Sequence, residues 1–463
     1  MRKSKEMNMT QGNLYKQIII YALPLIATNI LQLLFNAADV AVLSIFAQDG
    51  DLAIAAVGST GAIVNLVIGL FVGLSVGANV LIARCVGMQD RESAKRTVGM
   101  SVVLSVLVGI FLAVIGTIMA RRFLEWTHVD AAALDKATVY LTIYFLGMPI
   151  MMLYNFAASI LRAVGDTFRP LIFLVIGGVA NVILNIFFVL VVGWDVEGVA
   201  IATVVSQAVS ATLCIVTIAR EKGYCKLEFK YMRFYKRELV DMIKIGVPAG
   251  LQGCVFSISN VIIQSTINTF GLAAMSANTI TSQMEGFIYN ATYSVSLSAL
   301  GFVSQNYGAG NVERMRKSVR ISMLYAVGIG AIMGALVMAL RYQLCSIMSS
   351  DAEVLKICSE KLMILSMSYV LCGIMDVFSN AVRGLGRSTI AMLVSLAGSC
   401  VFRIIWIKFI YPYSPTLNMI FVVYPISWAL TIAIFACIYF PLIKKTNKEF
   451  AESKLALSTS NQQ

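Results

Sequence analysis

Apolar stretches of about 20 residues recur about twelve times along the chain, and each is long enough to cross the hydrocarbon core of a bilayer. They centre near positions 28, 66, 109, 149, 182, 209, 259, 286, 331, 372, 398 and 430. Within a bilayer every backbone N–H and C=O must be bonded inside the protein, so a chain built of such stretches folds as a bundle of helices. Composition agrees, with 59% of the 463 residues apolar, 13% charged and a positive mean hydropathy, which leaves little room for a soluble core. The expected fold class is all-α, a polytopic membrane protein of about 12 transmembrane helices.

The basic residues set its orientation, because cytoplasmic loops retain Lys and Arg. Arg2, Lys3, Lys5 and Lys16 precede the first span, Arg84, Arg91, Lys95 and Arg96 flank the second connection, and eight basic residues from Arg220 to Lys244 follow the sixth span. The opposite-side connections Gln48–Asp51 and Trp194–Gly198 carry none. Alternate loops collect roughly 28 basic residues on one side against roughly 8 on the other. Both termini are therefore expected in the cytoplasm of a bacterial cell, with the chain multi-pass in the inner membrane. The formal charge of +12 is then explained by topology and lipid headgroups, not by nucleic acid. The start, MRKSKEMNMTQGNLYKQ, has no short apolar core or small-residue cleavage site, so the first span is expected to direct insertion itself.

The chain also repeats. VGMQDRESAKRTV (86–98) lies over YGAGNVERMRKSV (307–319) at an offset of 221, and LRAVGDT (161–167) lies over VRGLGRS (382–388) at the same offset. Near the start Pro24 and Pro248 correspond at 224. Concordant offsets in separate loops indicate two six-span halves, and an even-numbered unit keeps its orientation on duplication, giving parallel repeats around a central cavity. The expected divisions are a cytoplasmic arm (1–16), an amino-terminal lobe (17–219), a basic linker (220–244), a carboxyl-terminal lobe (245–445) and a polar tail (446–463). The first apolar run, about Gln17 to Ala47, contains Pro24 and is too long for a straight crossing, so a bend or strong tilt is expected.

Three acids, Asp39, Glu285 and Asp376, lie deep inside apolar runs. A carboxylate at the centre of a spanning helix costs about 2.5–3.5 kcal/mol even on lenient insertion scales, so each marks an ion or substrate path or is tied to a neighbour for packing. Around Glu285, Asn278, Thr281, Ser282 and Tyr289 form a polar stripe; around Asp376 the stripe is Tyr369, Cys372, Asn380 and Arg383. Such stripes face protein or water, not lipid. The repeat aligns Asp376 with Asn155, and an internal pairing of Asp376 with Arg383 is the alternative to a binding role.

Other chemistry is poorly supplied. The nine cysteines include no C-x-x-C pair and the one histidine, His128, lies in a polar loop, so neither a disulfide nor a zinc site is expected. No G-x-x-x-x-G-K-[ST] occurs, and the glycines of GLFVGLSVG (69–77) are spaced by four for close helix packing, echoed by Gly330 and Gly334. No cofactor and no enzymatic activity are expected, and a passive channel lacks its filter sequence.

The stretches ALPLIATNILQLLFNAADVAVLS, GLSVGANVLIARCVGMQDRESAKR, LRAVGDTFRP, ITSQMEGFIYN, SALGFVSQNYGAGNVERMRK and VRGLGRS together resemble multidrug and toxic compound extrusion (MATE) transporters over roughly residues 12 to 445. The likeness is greater to DinF-like and MepA-like members than to NorM-like ones, which place a Glu in span seven where this chain reads AGLQGCVFSISN. The resemblance implies a monomeric antiporter that expels amphipathic organic cations in exchange for protons or sodium by alternating access. It puts Asp39 on the family's first-span acid, Tyr140, Asn155, Asn181 and Thr203 on polar positions around it, and Glu285 on an eighth-span acid that meets the cation. Asp376, Asn278, Tyr289 and Tyr369 are the further substrate-binding candidates.

One departure bears on the coupling ion. Relatives carry an N-x-x-x-D pattern in span five, whereas this chain has Asn181 and Asn185. Both amides can turn to Asp39 from one helix face, but without a second carboxylate a sodium ion held by Asp39, Asn181, Asn185 and Thr203 has a poorer cage. Burial disfavours the charged form of a lone carboxyl, which suits a proton carrier. Proton coupling is expected, with sodium coupling, or a flippase for a lipid-linked precursor using Arg403 and Lys408, as the alternatives.

Overall fold

The computed structural model describes residues 7–47, 50–127 and 129–460, with backbone alone for Asp51, Ala62 and 454–460. Arg2, Lys3 and Lys5 of the arm, Gln48 and Asp49 of the first connection, His128 and the last three residues of the tail lie outside the described residues. The chain is helical throughout: α1 Leu14–Phe46, α2 Gly50–Gly87, α3 Arg91–Trp126, α4 Ala131–Leu146, α5 Met148–Ala163, α6 Phe168–Ile186 and α7 Val196–Arg220. After the basic linker come α8 Lys236–Asn268, α9 Leu272–Gly308, α10 Val312–Ala339, α11 Arg341–Ser346, α12 Ala352–Leu365, α13 Tyr369–Gly384, α14 Ser388–Ser395, α15 Phe402–Ile405 and α16 Leu417–Ser460.

Among the described residues nine helices are long and apolar enough to span a bilayer, and eleven when the bent pairs α4–α5 (50°) and α12–α13 (47°) each count as one span. Gly147 and Pro149 mark the first bend, where the proline ring removes a backbone donor that a first helical turn does not need. The twelfth span expected from sequence corresponds to α9. It is 37 residues long, but its apolar content is diluted by Ser, Thr, Asn and Gln. Those side chains bond back to carbonyls of their own helix, Thr281 Oγ1 to Ala277 O at 2.8 Å, Ser294 Oγ to Asn290 O at 2.6 Å and Ser304 Oγ to Leu300 O at 2.7 Å. This local satisfaction lets a polar helix exist where water is scarce.

The repeat reaches the level of single turns. At the offset of 221, α3, α4, α5 and α7 begin where α10, α12, α13 and α16 begin. Asp90 caps α3 by accepting from Ser93 N (3.0 Å), and Asn311 caps α10 by accepting from Arg314 N (3.0 Å); Asp130 and Asp351 cap α4 and α12 in the same way. Hydrogen bonds from Ser93 hold the Asp90 carboxyl below its ordinary range. Gly165 and Gly386 both take left-handed φ values, +90° and +74°, which a side chain would oppose.

Two compact units emerge, and their division falls inside two helices. Ala27–Gly250 belong to the first, while Met9–Ile26 and the chain from Leu251 onward belong to the second. Each change of unit lies two residues past an intrahelical proline, Pro24 in α1 and Pro248 in α8. The first unit packs Leu43, Leu141, Phe145 and Met152 in one core cluster and Ile82, Ile160, Leu161 and Ile218 in another. The second packs Ile288, Val295, Met315, Leu362 and Phe435. Large apolar residues such as Ile118 and Ile332 stay outside, 71% and 69% exposed, as lipid-facing positions do.

Within the first unit α2 and α8 meet at glycine. A Cβ on Gly73 would overlap the backbone of Gly246 and Gly250, and one on Gly250 would overlap Leu70; Gly69 faces open space instead. Such close crossings substitute for a hydrophobic driving force in lipid. Gly73→Leu is therefore expected to force these helices apart and to lower the melting temperature in detergent; an unchanged melting curve would show that the crossing tolerates a side chain. The basic linker is docked on the same unit, with Lys95 Nζ 2.7 Å from Glu228 Oε1 and Tyr231 against Gly99.

Candidate functional site

Asp39 lies one turn beyond Asn36 and two beyond Gln32 on one face of α1, and this face opens on a cavity of about 380 Å³ inside the first unit. Asn65, Ile68 and Gly69 of α2, Tyr144 of α4, Asn155 of α5, Gly177, Gly178 and Asn181 of α6, and Thr203, Ser206 and Gln207 of α7 are among the residues that line it. The two glycines bring α6 close: a Cβ on Gly177 would overlap Ser210 and one on Gly178 would overlap the Phe35 ring.

The spacing of Asn181 and Asn185 aims both at the acid. Asn185 Nδ2 donates to Asp39 Oδ1 at 2.6 Å and faces Asn181 Oδ1 at 3.3 Å. Asn181 Nδ2 donates to Thr203 Oγ1 at 3.4 Å. The arrangement is a single carboxylate in a ring of neutral amides and a hydroxyl. Among the described residues no other acid lines the cavity, and no three His, Cys, Asp or Glu side chains cluster as metal ligands do.

Of the residues expected around Asp39, the structure places Asn155, Asn181 and Thr203 on the cavity wall and Asn185 buried against the carboxylate. Tyr140 is buried off the wall and stacks on Tyr144, centroids 6.1 Å apart, and it is Tyr144 that faces the cavity. Gln32, Asn36 and Gln207 went unnoticed in the sequence, although the first two share the face of Asp39 at helical spacing.

The second unit arranges its acids differently. Glu285 Oε1 lies 2.9 Å from Lys361 Nζ, both nearly inaccessible, and the Tyr369 hydroxyl donates to Glu285 Oε2 at 3.2 Å. The Lys361 ammonium also donates to Asn278 Oδ1 (2.6 Å) and Thr281 Oγ1 (2.9 Å). Glu285 and Asn278 thus gather around a lysine that the polar stripe on α9 does not reveal, and Tyr369 joins them through Glu285. The ion pair balances the charge of Glu285 within the second unit itself. The available signal was the repeat, which sets Lys361 on Tyr140.

Asp376 and Tyr289 stand outside that cluster. Asp376 Oδ2 is buried without a hydrogen bond, and Arg383 does not pair with it: the guanidinium donates to Gln252 Oε1 (2.7 Å) and Asn380 Oδ1 (3.2 Å). Tyr289 is 37% exposed and stacks on Tyr293. Of the two basic residues near span eleven, Lys408 is exposed and Arg403 buried.

A family model described as MatE matches residues 24–187 and 248–408, in register with the two halves. A probable multidrug resistance protein, YoeA of Bacillus subtilis, is 26% identical over 409 residues, covering 86% of this chain and 88% of its own. The multidrug export protein MepA of Staphylococcus haemolyticus is 20% identical over 429 residues, covering 93% and 92%. A solved MOP superfamily transporter from Pyrococcus furiosus superposes with a TM-score of 0.88 at 20% identity, covering 96% of this chain and 99% of that one.

Proposed function

Because the chain belongs to the MatE family, we propose that it is an antiporter of the bacterial inner membrane that exports amphipathic organic cations in exchange for protons, with Asp39 as the group for which the two compete. Family membership makes it a membrane transporter and not an enzyme. The observation that carries the coupling is the isolation of Asp39: among the described residues it is one carboxylate in a cavity otherwise walled by neutral groups. Such a group binds an organic cation when ionised and gives up that attraction when a proton neutralises it. A hard sodium ion needs several oxygen ligands, and beside this one carboxylate Asn185 presents its N–H donor to the acid, not its carbonyl oxygen. Alternating access then exposes Asp39 to one side at a time, with both termini cytoplasmic as the basic loops require. Glu285 is assigned to holding Lys361, not substrate.

The test is dye accumulation in everted vesicles under an imposed pH gradient without sodium, and under an imposed sodium gradient without a pH difference. Ethidium transport driven by the first alone is expected. Transport driven only by sodium would overturn the assignment of the ion.

A further inference from the structure

Among the described residues of the second unit, the buried charged side chains are Glu285, Lys361, Asp376, Arg383 and Arg403, three cations against two acids. Lys361 has Glu285. Arg403, 3% exposed, has no carboxylate of the described residues within ion-pair distance. Its Nε donates to Ser427 Oγ (3.0 Å), its Nη1 reaches Asn260 Oδ1 (3.5 Å), and Nη2 makes no hydrogen bond to them. The guanidinium lies over the rings of Tyr424 (4.3 Å) and Trp428 (5.9 Å). An arginine cannot shed its proton in a protein, so this charge stands in the second half of the Ser388–Tyr413 span, where the described residues offer it only dipoles and ring faces. That cost calls for an anion from outside the chain.

The repeat shows what place Arg403 occupies. At an offset of 224 Asn36 falls on Asn260 and Asp39 on Ile263; at 221 Thr203 falls on Tyr424, Ser206 on Ser427 and Gln207 on Trp428. The contacts of Arg403 are therefore the counterparts of the wall of the Asp39 cavity. The span itself departs from its partner by a π-helical turn, Leu396–Val401, immediately before Arg403. A π turn inserts one residue and rotates the helix beyond it, and such turns concentrate at functional sites. The inserted residue puts Arg403, and not Phe402, in register with Asn181. One half thus holds a carboxylate and amides, and the other, at the matching place, a guanidinium with an apolar residue where the acid would be.

We propose that Arg403, with Asn260, Ser427, Tyr424 and Trp428, forms a binding site for the anionic group, carboxylate or phosphate, of an amphipathic solute. The free Nη2 and the exposed Asn260 mark the side of entry, the guanidinium supplies paired donors, and the aromatic rings flank the apolar body of the ligand. The inference does not rest on the role of Asp39; it adds to the cation-binding half a half selective for acids, so that solutes bearing an acidic group are accepted.

The experiment uses the purified full chain in phosphatidylcholine nanodiscs, titrated with riboflavin and with flavin mononucleotide, which differ by one phosphate. Wild type is expected to bind the mononucleotide about tenfold more tightly, as one charge-assisted contact gives. Arg403→Gln should erase the preference and Arg403→Lys retain part of it. Should Arg403→Gln not fold, Asn260→Asp at an exposed position places a carboxylate beside the guanidinium; it should erase the preference while preserving or raising thermal stability. Asp39→Asn should keep the preference, which separates this proposal from that for the coupling site. Displacement of the mononucleotide by phosphatidylglycerol in the disc would identify the natural anion as a lipid headgroup, and lack of displacement as a soluble one. Equal binding of the two flavins by wild type, or a preference that survives both Arg403→Gln and Asn260→Asp, would overturn the proposal and leave Arg403 a structural clamp.

Discussion

Asp39→Asn is expected to reduce proton-driven export to background while leaving the fold intact. The substituted amide keeps an oxygen where Asp39 Oδ1 accepts from Asn185 at 2.6 Å, so the local hydrogen bond survives and only the ionisable group is lost. A neutral residue can neither attract an organic cation nor exchange a proton, so dye binding and pH-gradient-driven transport should fail together. Full transport by Asp39→Asn with unchanged coupling would remove Asp39 from the mechanism. The complementary change is Asn185→Asp, which converts that 2.6 Å amide contact into two facing carboxylates. Two such groups either share a proton or capture a cation, and with Asn181 Oδ1 and Thr203 Oγ1 nearby they supply the oxygen-rich set that sodium requires. Export by Asn185→Asp should acquire sodium dependence. If it stays indifferent to sodium while export persists, the missing carboxylate is not what sets the coupling ion.

The range of an interaction along the chain decides whether the sequence reveals it. Helical spans are local patterns, and each of the apolar runs corresponds to a helix or bent pair, α9 included despite its polarity. The repeat was legible from loops alone and extends to matched caps at Asp90 and Asn311. The facing of Asn185 toward Asp39 followed from i, i+4 spacing on α6. By contrast Lys361 meets its partner Thr281 on α9 at a separation of 80 residues, and no periodicity within either helix announces such a pairing. Tyr140 and Tyr144 also differ by four residues and share a face; which of them borders the cavity depends on how α4 packs. The π turn before Arg403 has no compositional signature, yet by rotating the helix it decides which residue faces inward. Pro24 and Pro248 were legible as a matched pair in the repeat, but that the change of unit falls just past each of them inside α1 and α8 was not, since both helices run on beyond the proline.

Lys361→Met should be among the most destabilising single substitutions in the chain. It leaves Glu285 inside the second unit with only the Tyr369 hydroxyl as a donor, and removing one partner of a buried ion pair costs about 3–5 kcal/mol because the other charge stays uncompensated. Glu285→Gln alone should be nearly as harmful, since it strands the ammonium among Asn278 and Thr281. The double variant Lys361→Met/Glu285→Gln carries no buried charge at this place, and neutral replacement of a buried pair is close to neutral in stability. It should recover most of the thermal resistance seen by size exclusion after heating. Export separates the two roles that Glu285 could have. If the pair serves to hold α9 against α12, the double variant transports as wild type does; if Glu285 leaves Lys361 to receive the cationic substrate, the double variant folds but does not transport. The first outcome is expected, because Lys361 makes three polar contacts within 2.9 Å and a substrate would have to replace all the attraction it provides before Glu285 could exchange partners.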